Sequence, residues 1–108
     1  MLHVIIVGAG ISGLTCAITL AKYTHVQVTV LERAPVMDKA GNGIQVPCNA
    51  AHAMRCLGLL DKLLVKTNGP ATAFLNLKYD DGEILLHKDL TRCEDLYGAP
   101  WLYVCFAF

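Results

Sequence analysis

Residues 4 to 32 constrain this chain more than any other stretch. They read Val4-Ile5-Ile6-Val7, then Gly8-Ala9-Gly10-Ile11-Ser12-Gly13, then a helical pattern, then Val28-Thr29-Val30-Leu31-Glu32. An apolar strand, a glycine-rich turn, a helix and a second strand ending in a carboxylate make a βαβ unit. A lone G-x-G-x-x-G is weak in a chain with nine glycines, but in this setting each glycine has a task. Gly8 permits the tight turn, Gly10 lets the backbone approach a pyrophosphate, and Gly13 lets the helix pack on the strand. The helix, expected to begin near Ile11, points unpaired N–H groups and a positive dipole end at those phosphates. Glu32 follows Gly8 by 24 positions, close to the ~20-residue interval to a ribose-binding acid. A carboxylate there accepts ribose hydroxyls and repels a 2′-phosphate, which disfavours NADP as the occupant. The alternative is a plain βαβ unit with Glu32 merely solvated.

Composition narrows the class. At 108 residues the chain has the length of one small domain, so residues 1–108 are read as a single unit. It is 55% hydrophobic and 17% charged, against the usual ~45–50% and ~25%. That balance suits a piece of a larger interior better than a self-sufficient small domain. Nine basic residues cancel nine acidic ones, so the basic footprint of a nucleic-acid binder is missing. Five cysteines without a C-x-x-C read as reduced, buried thiols in an intracellular, cytoplasmic protein. Leu2 to Ala21 contains no Lys, Arg, Asp or Glu and could pass for a membrane span. The dinucleotide-spaced glycines explain the low charge better, and no membrane partner is expected.

Periodicity places the remaining elements. The first strand, residues 3–7, reads as buried on both faces. Leu14, Ala17, Ile18 and Ala21 give the helix an apolar face up to about Tyr23, and residues 27–31 form the parallel second strand. Pro35, Gly41, Gly43 and Pro47 break the next stretch into an extended excursion with a Gly-Asn-Gly turn. Ile44 to Val46 is a short strand, after which Asn49 caps a helix with Ala50, Ala53, Met54 and Leu57 on its apolar face. Gly58 ends that helix, and Leu59, Leu60, Leu63 and Leu64 mark another. Phe74 to Tyr79, Asp80-Asp81-Gly82 and Glu83 to His87 read as a β-hairpin. Residues 88–100 look irregular, and Trp101 to Phe108 look like a strand.

Three other constellations are set aside. Cys48, His52 and Cys56 fall at i, i+4 and i+8, which is no common zinc spacing, so no metal site is expected. Ser12 has Gly10 two residues before it but Leu14 two after, so it is no nucleophile elbow. A D-D-G turn accounts for Asp80 and Asp81 without paired carboxylate chemistry. No catalytic residue is assigned.

Beyond the glycines, the chain resembles FAD-dependent monooxygenases of the aromatic hydroxylase family, in particular the salicylate-hydroxylase-like enzymes. The resemblance rests on Leu31-Glu32-Arg33-Ala34-Pro35, on residues Gly41-Asn42-Gly43-Ile44-Gln45-Val46-Pro47-Cys48-Asn49-Ala50, and on Leu57-Gly58-Leu59-Leu60-Asp61. It implies an α/β fold: a partial Rossmann-like FAD-binding unit with added helices and a peripheral hairpin. It also implies FAD as cofactor, NAD(P)H as co-substrate, and insertion of one oxygen atom into a small aromatic molecule. Gly8, Gly10 and Gly13 then serve the pyrophosphate and Glu32 the adenosine ribose. Arg33 and, less readily, Lys39 meet phosphate or adenine or are simply solvated, and Asn42 and Gly43 approach the FAD.

Members of that family are several times longer, and their later D-G and G-D segments and their substrate domain have no counterpart here. Residues 103–108 also lack the arginine of the family's His-Arg-x-Asp-Leu stretch. The expectation is therefore a truncated N-terminal portion, inactive alone, exposing apolar sheet and prone to self-association. The alternatives are a non-catalytic dinucleotide-binding remnant or subunit completed by a partner chain, and an NAD-dependent dehydrogenase, against which Gly41 to Ala50 argues.

Overall fold

A computed structural model describes residues 1–23, 25–36 and 43–104. The chain divides into two compact units, Met1–Lys39 and Ala40–Phe108.

In the first unit, β1 (His3–Val7) leads through the glycine turn into α1 (Ile11–Tyr23) and then β2 (Gln27–Leu31). The two strands pair in parallel from His3 opposite Gln27 to Val7 opposite Leu31. The expected bounds of all three elements hold. Two expectations about burial do not. Strand β1 is covered on one face only: Val4 and Ile6 are half-buried, while Ile5 and Val7 are exposed. The reason is layer count, since one helix lies against a two-stranded sheet. The face of α1 turned inward carries Gly13, Ala17 and Leu20, whereas Leu14, Ile18 and Ala21 are exposed. Close contact at Gly13 sets that rotation. No described residue of this unit is fully buried.

The second unit holds the core. Strand β3 (Ile44–Val46) pairs antiparallel with β6 (Leu102–Val104). Between them run α2 (Cys48–Cys56), α3 (Leu60–Leu64), the hairpin β4 (Ala73–Leu77) and β5 (Ile84–Asp89), and α4 (Cys93–Tyr97). Ala51, Leu60, Ala99 and Leu102 form one buried cluster, flanked by Val46, Met54, Leu63 and Leu64. Cys48, Leu90 and Cys93 form a second, against which Ala71, Phe74 and Trp101 pack. The Phe74 and Trp101 rings meet tilted at 45° with centroids 6.4 Å apart, a favourable aromatic geometry.

Here too the sequence reading needs correction. Helix α2 begins one residue before Asn49, with Pro47 at the cap position and no side-chain cap bond. Pro47 fixes φ at −68° with ψ at 167°, an extended entry into the helix. The buried side of α2 carries Cys48 and Ala51, while Ala53 is exposed. Gly58 adopts φ +76° after the helix, as its position requires. The hairpin is antiparallel as expected, with Gly82 at φ +77° in its turn and an irregularity beside Leu77. Residues 88–100 are not irregular throughout, because α4 lies within them and ends on Gly98 at φ +72°. The Gly41-Asn42-Gly43 turn is only partly covered, since Gly41 and Asn42 lie outside the described residues. So do Lys39 and residues 105–108.

Candidate functional site in the glycine turn

The site grows from the end of β1. Gly8 leaves the strand at φ +105°, a left-handed conformation that a Cβ would strain. Its N–H donates to the Leu31 carbonyl at 2.6 Å, so the turn is tied to the end of β2. Gly13 then passes directly over it. A Cβ on Gly13 would lie 2.0 Å from the Gly8 carbonyl oxygen and 3.3 Å from Ile6 Cγ2. No side chain fits at that distance, so close helix–strand packing depends on glycine at 13. Gly10 behaves differently. A Cβ there would meet nothing within 4 Å, which leaves its outward side open for a ligand to approach the backbone.

Glu32 completes the arrangement from β2. Its Oε2 accepts the Ala9 N–H at 2.7 Å and its Oε1 accepts the Ala34 N–H at 2.8 Å. Each carboxylate oxygen has a further lone pair directed away from the backbone. The side chain is exposed. N–H donation from Ala34, then Ala9, with a smaller part from Arg33, holds its carboxyl below the ordinary 4.5. An acceptor that is ionised at neutral pH therefore sits beside a glycine turn at a helix start. That combination can take a sugar with vicinal hydroxyls linked to a phosphate.

The first unit thus brings together Gly8, Gly10, Gly13, Glu32 and, exposed next to it, Arg33. Gly43 is exposed and immediately precedes β3 in the second unit; Asn42 lies outside the described residues. Ala9 and Ala34 were missed as participants, because they act through backbone N–H groups that side-chain identity does not report. Ser12 is exposed in the first turn of α1. Cys48 is buried while His52 and Cys56 are exposed, and no group of three His, Cys, Asp or Glu among the described residues is placed to hold a metal. No helix among the described residues is long and apolar enough to cross a membrane.

The residues present fit a dinucleotide: Gly13 admits nothing larger, Gly10 faces open space, and Glu32 is ionised with acceptor capacity to spare.

Comparison with known proteins agrees with this geometry. Residues 6–41 match the NAD(P)-binding Rossmann-like domain. Over 104 residues the chain is 38% identical to 3-amino-4-hydroxybenzoate 2-monooxygenase of Streptomyces cremeus, covering 95% of this chain and 26% of that protein. A salicylate hydroxylase of Pseudomonas putida is 43% identical over 58 residues, 54% of this chain and 13% of its own length. Among solved structures, p-nitrophenol 4-monooxygenase PnpA from Pseudomonas putida DLL-E4 superposes with a TM-score of 0.79 at 24% identity. That match covers 97% of this chain and 27% of that one. Klebsiella pneumoniae HpxO complexed with FAD and uric acid gives a TM-score of 0.76 at 24% identity, over 96% of this chain and 25% of that one. The chain spans about a quarter of the length of the relatives it matches along nearly its whole extent.

Proposed function

In sequence and fold this chain matches the N-terminal portion of the FAD-dependent monooxygenases of the aromatic hydroxylase family, and on that premise we propose that it binds the ADP half of FAD. The observation that carries the proposal is the pairing of an open Gly10 with an ionised, backbone-anchored Glu32. In this reading Gly8, Gly10 and the start of α1 receive the pyrophosphate through backbone N–H groups. Glu32 accepts the adenosine ribose hydroxyls, and Arg33 lies against the adenine. Asn42 and Gly43 are proposed as further FAD-binding residues on the family resemblance alone.

When bound, FAD supplies the redox chemistry by which one atom of oxygen enters an aromatic substrate, at the expense of NAD(P)H. The chain's own proposed contribution is binding and orientation. Hydroxylation of a small aromatic molecule is the activity proposed for the complete protein, and this chain alone is proposed to hold the cofactor without turning over.

Expression of residues 1–108 tests both halves. The expected result is FAD retained or taken up on titration, with no substrate-stimulated NAD(P)H oxidation. Aromatic-substrate-stimulated oxidation at stoichiometric FAD would overturn the binding-only reading. Preference for NAD over FAD would favour a dehydrogenase instead. Co-purification with a second flavoprotein chain that restores oxidation would favour a subunit completed in trans.

A further inference from the structure

The second unit contains a pair of thiols that cofactor binding does not use. Cys48 opens α2 and Cys93 opens α4, 45 positions apart in the chain. Both are buried, and with Leu90 they form one cluster. Neither is in a disulfide. They are not sealed in. A cavity of about 300 Å³ is lined by both cysteines together with Asn49, Lys88, Tyr97 and Trp101. It is large enough for a small oxidant. We propose that Cys48 and Cys93 are a redox-active dithiol that closes to an intramolecular disulfide on reaction with a hydroperoxide.

The chemistry balances without any other reactant. One thiol deprotonates and its sulfur attacks the O–O bond, giving a sulfenic acid and releasing water or an alcohol. The second sulfur, also deprotonated, displaces the sulfenic oxygen as water and forms the S–S bond. Two electrons pass from the sulfur pair to the peroxide. Closure brings the two sulfurs of this one packed cluster to the ~2.05 Å of a disulfide. The product would pin the start of α2 to α4.

Proton removal sets the rate. Burial, chiefly, and the neighbouring Cys48 push the Cys93 thiol up from its ordinary range, Asp89 adds to this, and Lys88 opposes it. The thiolate is the reacting species, so closure is slow at neutral pH and accelerates roughly tenfold per pH unit until the thiol titrates.

The test uses the full chain carrying C105S, because Cys105 shares a tryptic peptide with Cys93. The protein is treated with one equivalent of hydrogen peroxide at mildly alkaline pH, alkylated, digested and sequenced by mass spectrometry. A linked peptide joining Cys48 to Cys93, in clear excess over any link to Cys16 or Cys56 and reversible by dithiothreitol, is expected. The preference should vanish in denaturant, which shows that folded geometry and not chain length imposes it; C48S should leave Cys93 unlinked. Scrambled links under native conditions, a preference that survives denaturant, or sulfinic acid without a disulfide would each overturn the proposal.

Discussion

The Glu32 carboxylate accepts the backbone N–H of Ala9 at 2.7 Å, joining the end of β2 to the middle of the turn that follows β1. With its second oxygen on Ala34, one exposed side chain holds the loop on either side of it. The residue proposed to bind ribose is thus also the one that shapes the phosphate turn. Loss of Glu32 should weaken folding of the first unit as well as binding.

This arrangement gives stability a pH dependence of known sign. N–H donation from Ala34 and Ala9 lowers the folded-state value for Glu32 below the ordinary 4.5. Asp81 and Asp89 are lowered from 3.8, the first by the Glu83 N–H and Lys78, the second by Thr91. Groups lowered on folding contribute stability above their unfolded values and lose it as pH falls through their folded ones. Melting temperature should therefore be flat near neutrality and fall below about pH 4.5. Glu32→Gln should lower it at pH 7 and make the acid-side decline shallower. Thermal melts across pH check both.

Gly13→Ala should unfold the first unit. Its Cβ would lie 2.0 Å from backbone oxygen, which can yield only if the helix moves off the strand, at a cost of about 2–3 kcal/mol or more. No described residue of that unit is fully buried to offset such a loss. Hydrogen exchange should show residues 3–31 losing protection while residues 44–104 keep theirs.

In the second unit the cluster around Leu102 bears the load. Leu102 is fully buried against Ala51, Leu60 and Ala99. Leu102→Ala should cost about 2–5 kcal/mol, read as a shift in denaturant midpoint. Because Leu102 also pairs with Val46, the amides of β3 should lose protection together with those of β6.

Leu85→Lys should do the reverse: improve solubility at little cost in stability. Leu85 is 62% exposed and is skipped in the pairing between Ile84 and Leu86. It shares an exposed apolar hairpin with Leu75, Leu77, Ile84 and Leu86, the kind of patch that promotes association. Light scattering should fall, with the melting temperature changed by no more than about 2–4 °C, since such surface substitutions lie within about 0.5 kcal/mol.

The strands, the first helix and the hairpin were legible because each rests on a local signal: period two, period three to four, or a glycine at a forced turn. Which face of a helix is inward was not legible in the same way. Of the apolar stripe Leu14, Ala17, Ile18 and Ala21 only Ala17 faces inward, and the inward face is set by Gly13, which has no side chain to announce it. Helix α4 escaped notice because five residues are too few to establish a period, although Gly98 marks its end. Glu32 was legible as an acid at the right interval; its anchoring on Ala9 and Ala34 was not, since backbone donors carry no sequence signature.

Binding of FAD by wild-type chain and by Gly10→Ala, beside the same titrations with FMN and ADP-ribose, tests the central claim most directly. A Cβ at Gly10 meets nothing in the protein, so the variant should fold and melt as wild type does. The account predicts that wild type binds FAD and ADP-ribose but not FMN, and that Gly10→Ala loses at least about tenfold in affinity for both, roughly 1.4 kcal/mol. Equal binding of FAD by the two proteins, or binding of FMN as tight as that of FAD, would contradict it.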